Sequence, residues 1–346
     1  MSLGGRVWAL WGLVALARCT TPPQAPHDAS AADLGPIDAA SDVASDRRTV
    51  ARPGAPIDPA RYDCRARGEA PRRVSAVPAS CALDPRCRVP QVIGHRGAGG
   101  SLGYLAPEDS LSGYRAAIAL GVELVETDPR LTADGVLVNH HDPDLARTTA
   151  GSGLVAEQSY AALRALSLRA EGFEGDFSCE HIATLEEVLR LCRGHAVVVV
   201  DANKTDRVDL LVAAIRAADA VEWVTFSTSD VDKALRARAM LPGLALHIRP
   251  RSVEEIAPQL ARLGGELPVI VELGRSDVAL GAPIVHRAGS RVSTNVFVED
   301  VFAATTGVTS SYVTALDEGA DIVQSDRPVQ VREAFERAGR RAPTRP

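Results

Sequence analysis

Several things are scarce in this chain of 346 residues. Aromatic residues make up only 4% of it, and of its 38 basic residues two alone, Lys204 and Lys233, are lysine. That arginine bias carries no function by itself, yet it singles out the two lysines. No apolar run reaches the roughly 18 residues needed to cross a bilayer, which excludes a polytopic membrane protein. With 46% hydrophobic and 24% charged residues, and no glycine period, extended disorder and collagen are excluded as well. Positive charge is not in excess: the formal net charge is −6, with the first 90 residues at +3 and the remainder at −9. An acidic globular part argues against a nucleic-acid backbone as partner, because phosphate binding needs a basic footprint. It is compatible with a carboxylate-rich site for a cation. The 6 cysteines show no C-x-x-C spacing, so neither a zinc nor a thiol redox motif is indicated.

What is present begins with an export pattern. Arg6 precedes the apolar run Val7 to Ala17, the length of a signal h-region. Leu16-Ala17-Arg18-Cys19 resembles a lipobox, with Arg18 where a small residue is usual. Residues 1–18 are therefore read as a signal peptide, and Cys19 as a candidate lipid anchor and the sole expected membrane attachment. The protein is expected to be exported: periplasmic, secreted or a membrane-anchored lipoprotein. Residues 19–90, rich in Ala, Pro, Asp and Arg, cannot bury enough apolar surface to offset their ordering entropy and are expected to form a disordered tether. Its last third holds Cys64, Cys81 and Cys87 and is a candidate for stapling onto the domain. A Cys179–Cys192 disulfide is expected, with a second bond between two of those three cysteines and one thiol left over.

Residues 91–346 alternate between strand-like and helix-like stretches. Strands are expected at Gln91–Gly94, Val122–Thr127, Ala196–Asp201, Val221–Phe226, Leu244–Ile248, Pro268–Glu272, Arg291–Val298 and Asp321–Gln324. Helices are expected at Ser110–Leu120, Thr184–Cys192, Val208–Ala218, Val231–Met240, Val253–Leu263, Ser310–Glu318 and Val329–Ala338. Eight strands with intervening helices over about 250 residues are the count and size of a (β/α)8 TIM barrel. The glycines at 97, 99 and 103 miss the dinucleotide-loop spacing by one.

In such a barrel, chemistry sits at the C-terminal strand ends. Here these ends carry His95-Arg96, then Glu126-Thr127-Asp128, and Asp201-Ala202-Asn203-Lys204, while a neighbouring segment ends in His140-His141-Asp142. Glu126 and Asp128, two apart on a strand, share a face, and two adjacent carboxylates repel unless a cation or proton lies between them. With Asp201 they form an all-oxygen set suited to one hard divalent cation, Ca²⁺ or Mg²⁺. His95 and a second histidine beside that site make an acid and a base, and Arg96 offers fixed charge to phosphate oxygens.

These stretches resemble the glycerophosphodiester phosphodiesterase family, of the phosphatidylinositol phospholipase C-like superfamily. The resemblance runs through Val92-Ile93-Gly94-His95-Arg96-Gly97, Ala106-Pro107-Glu108-Asp109-Ser110, Val125-Glu126-Thr127-Asp128-Pro129-Arg130, His141-Asp142-Pro143 and Arg147-Thr148-Thr149. It returns at Gly319-Ala320-Asp321 and Ser325-Asp326-Arg327-Pro328. It implies a (β/α)8 barrel that cleaves glycerophosphodiesters to glycerol 3-phosphate and an alcohol. His95 and His141 would be the acid–base pair, with Glu126, Asp128 and Asp201 as cation ligands and Arg96 on the phosphate; His140 is left structural. In the implied mechanism the glycerol 2-hydroxyl attacks phosphorus and water opens the cyclic phosphate.

Three positions depart from the family pattern. Asp109-Ser110 stands where Asn-Thr is usual, and Asp201 where Glu is common. Asn203 stands where a phosphate-binding lysine is expected, with Lys204 one residue later, so either Lys204 is brought inward or Asn203 replaces it. Two alternatives remain open: a phospholipase D-like or cyclising lipase acting on lysolipids or sphingolipids, favoured by Asp201, and an inactive barrel serving as a surface binding lipoprotein.

Overall fold

The computed structural model describes residues 56–342 except 67, 69, 74 and 76, so the signal segment, Cys19 and the tether up to residue 55 lie outside the described residues. Among the described residues ten strands follow in order: β1 (Gln91–Gly94), β2 (Leu124–Thr127), β3 (Pro129–Leu131), β4 (Leu137–Asn139), β5 (Val197–Asp201), β6 (Val224–Thr228), β7 (Ala245–Ile248), β8 (Ile270–Glu272), β9 (Arg291–Asn295) and β10 (Ile322–Ser325). All but β3 and β4 pair in parallel around a closed ring, β1-β2-β5-β6-β7-β8-β9-β10 and back to β1. Strands covered on both faces read as unbroken apolar runs, and β5, with Val197 to Val200 all buried, shows why.

The surrounding helices are α1 (Leu111–Leu120), α2 (Tyr160–Arg164), α3 (Leu185–Cys192), α4 (Val208–Ala217), α5 (Val231–Met240), α6 (Val253–Arg262), α7 (Val278–Arg287), α8 (Phe297–Thr306), α9 (Ser310–Asp317) and α10 (Pro328–Arg337). Local chemistry sets several ends. Ser110 Oγ accepts from the Gly113 N–H to start α1. Thr184 and Glu187 form a reciprocal capping box on α3.

Three helices were not expected: the short α2, α7 and α8. The α7 segment holds Pro283 inside it, and a proline weakens any helical reading of a sequence. In α8 the apolar run Val296 to Val298 looks like the end of a strand. The structure closes the strand at Asn295 and turns Val298 outward, while Asp300, Ala303 and Ala304 face inward at helical spacing.

Between β2 and β5 the chain makes an excursion. β3 and β4 pair as an antiparallel ribbon, backed by a separate small core of Val138, Leu145, Val155, Leu163 and Ile182. His141 therefore comes from the end of this ribbon and not from a barrel strand.

The expected tether is packed structure from residue 56 onward. Tyr62 is fully buried and stacks 6.5 Å from Phe177. A short turn, Ala79–Leu83, lies across the N-terminal end of the barrel, where Ala82 packs with Leu124, Val197, Ile270 and Ile322, each the first residue of its strand. The expected Cys179–Cys192 bond is not formed: Cys179 pairs with Cys64 and so staples the segment onto the domain, while Cys81–Cys87 joins two of the three upstream cysteines as expected and Cys192 is the thiol left over, free and buried. Cys192 falls on the inward face of α3 with Leu185, Val188 and Leu189, which directs it into the core. Cys179 instead lies on a loop beside Cys64, whose backbone N–H donates to the Asp176 carbonyl. No helix among the described residues is long and apolar enough to cross a membrane.

Candidate active site

The three expected acids meet at one place. Ligand oxygens of Glu126, Asp128 and Asp201 lie within 4.8 Å of one another, and all three residues are buried. β2 delivers Glu126 and the residue just past its end, Asp128; the neighbouring β5 delivers Asp201. Burial, followed by repulsion from Asp128 and Asp109, pushes the Glu126 carboxyl well above its ordinary range. Burial pushes Asp128 upward too, but the charges of Lys204, His141 and Arg96 outweigh it and hold Asp128 at about 2. Asp128 Oδ2 is buried without a hydrogen-bond partner. An all-oxygen donor set of three mutually close carboxylates, one of them with an orphaned oxygen, fits a hard divalent cation.

Both expected histidines border this cluster, and each is held at Nδ1 by a carboxylate. His95 Nδ1 lies 2.5 Å from Asp326 Oδ1, which leaves Nε2 facing Glu126 at 3.9 Å. His141 Nδ1 lies 2.7 Å from Asp142 Oδ1. Such partners fix ring orientation and leave the other nitrogen for chemistry. His140 is buried, its ring held by the Asp142 carbonyl at 2.8 Å and the Thr148 hydroxyl at 3.0 Å.

Residues that sequence reading did not single out make this arrangement stiff. Asp326, at the end of β10, also accepts from the Gly100 and Leu102 N–H groups at 3.0 and 2.9 Å. A Cβ at Gly100 would come 2.7 Å from Asp326 Oδ1 and 2.9 Å from His95 Nδ1, so glycine is needed for the loop to approach so closely. Behind Asp326 sits Asp300, which accepts from Tyr312, Ser325 and the Asp326 N–H. Burial and the Asp326 charge push its carboxyl up to about 8. Glu108 accepts from Arg96 at 2.9 Å and from both terminal nitrogens of Arg147, and Arg147 continues to Asp142 at 2.5 Å. Glu108, Arg147 and Ser325-Asp326 stood in the family-like blocks without an assigned role, whereas Gly100 and Asp300 lie outside them.

The lysine question has a geometric answer. Ala202–Lys204 forms a single helical turn after β5, and Lys204 Nζ comes 3.6 Å from Asp128 Oδ1. The Asn203 amide is already spent: Nδ2 donates to Asp201 at 2.7 Å, while Oδ1 accepts from Thr228, Ser229 N–H and Ser229 Oγ. Asn203 thus ties β5 to β6 and orients Asp201, and Lys204 faces the cluster. The other lysine secures this turn: buried Lys233, on α5, donates to the Ala202 and Thr205 carbonyls, each at 3.0 Å. Arg96, at φ +50, donates its backbone N–H to Glu126 Oε2 at 3.1 Å and brings Nε to 3.5 Å from Asp128.

Residues 95–242 match the Glycerophosphoryl diester phosphodiesterase family. A probable glycerophosphodiester phosphodiesterase 1 of Mycobacterium tuberculosis is 32% identical over 208 residues, 53% of this chain and 74% of that protein. The chain belongs to the glycerophosphodiester phosphodiesterase family. Bovine glycerophosphodiester phosphodiesterase 1 is 36% identical over 143 residues, which span 41% of this chain and 40% of the bovine protein. Among solved structures, a family member from Parabacteroides distasonis superposes with a TM-score of 0.66 at 24% identity, covering 77% of this chain and 93% of that one. An Oleispira antarctica phosphodiesterase, solved with the product sn-glycerol-3-phosphate, gives 0.58 at 25% identity over 72% and 97%. The family match takes in His95, Arg96, Glu126, Asp128, His141, Asp201 and Lys204, and it stops short of Arg249, Asp300 and Asp326.

Proposed function

We propose that this chain hydrolyses glycerophosphodiesters to glycerol 3-phosphate and a free alcohol, with His95 and His141 as acid and base. The observation that carries this reading is the placing of two carboxylate-held imidazoles beside a three-carboxylate cluster. Family membership supports it, and the Oleispira neighbour was solved with the same product. One histidine Nε2 takes the proton of the attacking glycerol 2-hydroxyl, and the other gives a proton to the departing alkoxide. Water then opens the cyclic phosphate with the roles reversed. Asp326 and Asp142, each at hydrogen-bond distance from an imidazole Nδ1, keep the two rings oriented. Lys204 and Arg96 supply fixed positive charge to the phosphate oxygens. Glu126, Asp128 and Asp201 would hold one divalent cation, Ca²⁺ or Mg²⁺, which lowers the pKa of the attacking hydroxyl and offsets developing charge.

Purified protein is assayed for glycerol 3-phosphate release from glycerophosphocholine with Ca²⁺, with Mg²⁺ and with EDTA, beside His95→Ala and Glu126→Ala. Cation-dependent release, lost in both variants, is expected. Accumulation of a cyclic phosphate that is never opened would overturn hydrolysis in favour of a cyclising lipase. Export and lipidation at Cys19 belong to the same proposal and rest on the Arg6 to Cys19 sequence; mass spectrometry of the mature N-terminus tests them.

A further inference from the structure

One guanidinium at the acidic cluster has no part in the mechanism above. Arg249 follows β7, its backbone N–H fixed to the Thr228 carbonyl at 3.0 Å. Its Nη1 donates to Asp201 Oδ2 at 3.1 Å, and Nη2 lies 3.4 Å from Glu272 Oε1 at the end of β8. Its side chain is 31% exposed, against 21% for Lys204 and 7% for Arg96. Arg96 is largely committed to Glu108 and Asp128, whereas Arg249 carries five N–H donors and makes one side-chain hydrogen bond. The two more exposed cations thus stand against different acids: Lys204 against Asp128, Arg249 against Asp201. A diester phosphate engaged at the cluster must approach Asp201, which Arg249 already touches. His247, buried beneath, stays uncharged, its ring held down at about 3 by burial and by Arg249.

Resting on the functional reading above, we propose that Arg249 is a phosphate-binding residue. Its guanidinium meets the non-bridging oxygens of the diester, and of the phosphomonoester product, from the Asp201 side while Lys204 meets them from the Asp128 side. A planar fork that reaches two oxygens suits this position better than a point charge.

The test is run on the full-length protein at saturating Ca²⁺ or Mg²⁺, with glycerol 3-phosphate and inorganic phosphate as calorimetric probes and the cation titrated separately by thermal midpoint. Arg249→Gln is expected to lose product affinity by on the order of tenfold to a hundredfold at saturating cation, the range for charge-assisted hydrogen bonds, while cation affinity holds or rises because a positive charge in contact with Asp201 has been removed. Product affinity unchanged at saturating cation overturns the proposal. So does a loss confined to cation affinity, which would make Arg249 merely an orienting partner of Asp201. If Arg249→Gln does not fold, Arg249→Lys replaces it. A drop of about threefold or more then supports the fork, and wild-type affinity overturns it. Wild-type protein that binds product but releases none from any diester would sink the proposed function and leave the phosphate clamp standing.

Discussion

At the N-terminal end of the barrel, Glu123 has no exposed side-chain surface and accepts from Arg73, Arg341, Ser75 and the Val92 N–H. At the C-terminal end, Glu126 lies three residues along the same chain and is buried as well, yet it faces Asp128 and Asp201 across less than 4.8 Å. Burial costs both carboxylates their hydration. At one end two arginines return that cost and the group is structural. At the other end three carboxylates crowd one another with Lys204, Arg96 and Arg249 around them, and that mix of clustered acids and cations is what a divalent cation and a phosphodiester can use. The same barrel supports both ends because short parallel strands hold the lower layer rigidly, closed off by the Ala79–Leu83 turn.

The largest effect that would separate the two ends is chemical. His95→Ala should lower glycerol 3-phosphate release by about 10²–10⁴-fold while a cation still raises the thermal midpoint; losing that shift as well would show that His95 holds the cluster together. Next in size, Glu123→Ala strands buried Arg341 and partly buried Arg73 and should cost about 3–5 kcal/mol of stability, measured by urea unfolding. The cation-induced shift should survive, and its loss would mean that the two ends are coupled. Breaking Cys64–Cys179 by Cys64→Ser should cost about 2–4 kcal/mol, with activity of the folded fraction retained.

The smallest effect has the opposite sign. Without cation, the native state holds the Glu126 proton more tightly than the unfolded chain, whose carboxyl titrates near 4.5. Between 4.5 and the raised native value unfolding releases a proton, so stability falls as pH rises. Glu126→Gln should therefore stabilise the protein in EDTA at pH 7 by ~1 kcal/mol and flatten that slope. Destabilisation by Glu126→Gln in EDTA would place Glu126 with Glu123, as a structural acid.

Much of the fold could be read in advance, because buried parallel strands such as Val197 to Val200 have a local signature. The readings that failed are those where local pattern and tertiary packing disagree. Phe297 and Val298 look like strand but belong to α8, since Asp300 must turn inward to accept from Ser325, Tyr312 and the Asp326 N–H. The cysteines could be counted but not paired, because pairing depends on which loop lies beside which, and Cys64 and Cys179 are 115 residues apart. The segment from residue 56 reads as a tether because its apolar residues are sparse and aperiodic. It is ordered because Tyr62 and Ala82 find cavities that other parts of the chain build.

By itself the sequence determined the barrel, the family and the acids and histidines of the site, since each is carried by short contiguous blocks whose spacing is a local property. Tertiary structure alone decided which neighbours those residues have. It turned Lys204 onto Asp128 and tied Asn203 to Asp201 through one helical turn after β5, and it placed Asp326 behind His95 although 231 residues separate them in the chain. It also brought Arg249 onto Asp201. Ring closure accounts for Asp326, since it makes β10 the neighbour of β1, and Arg249 reaches Asp201 because β7 lies one strand beyond β6 in the same ring; no local pattern encodes either contact.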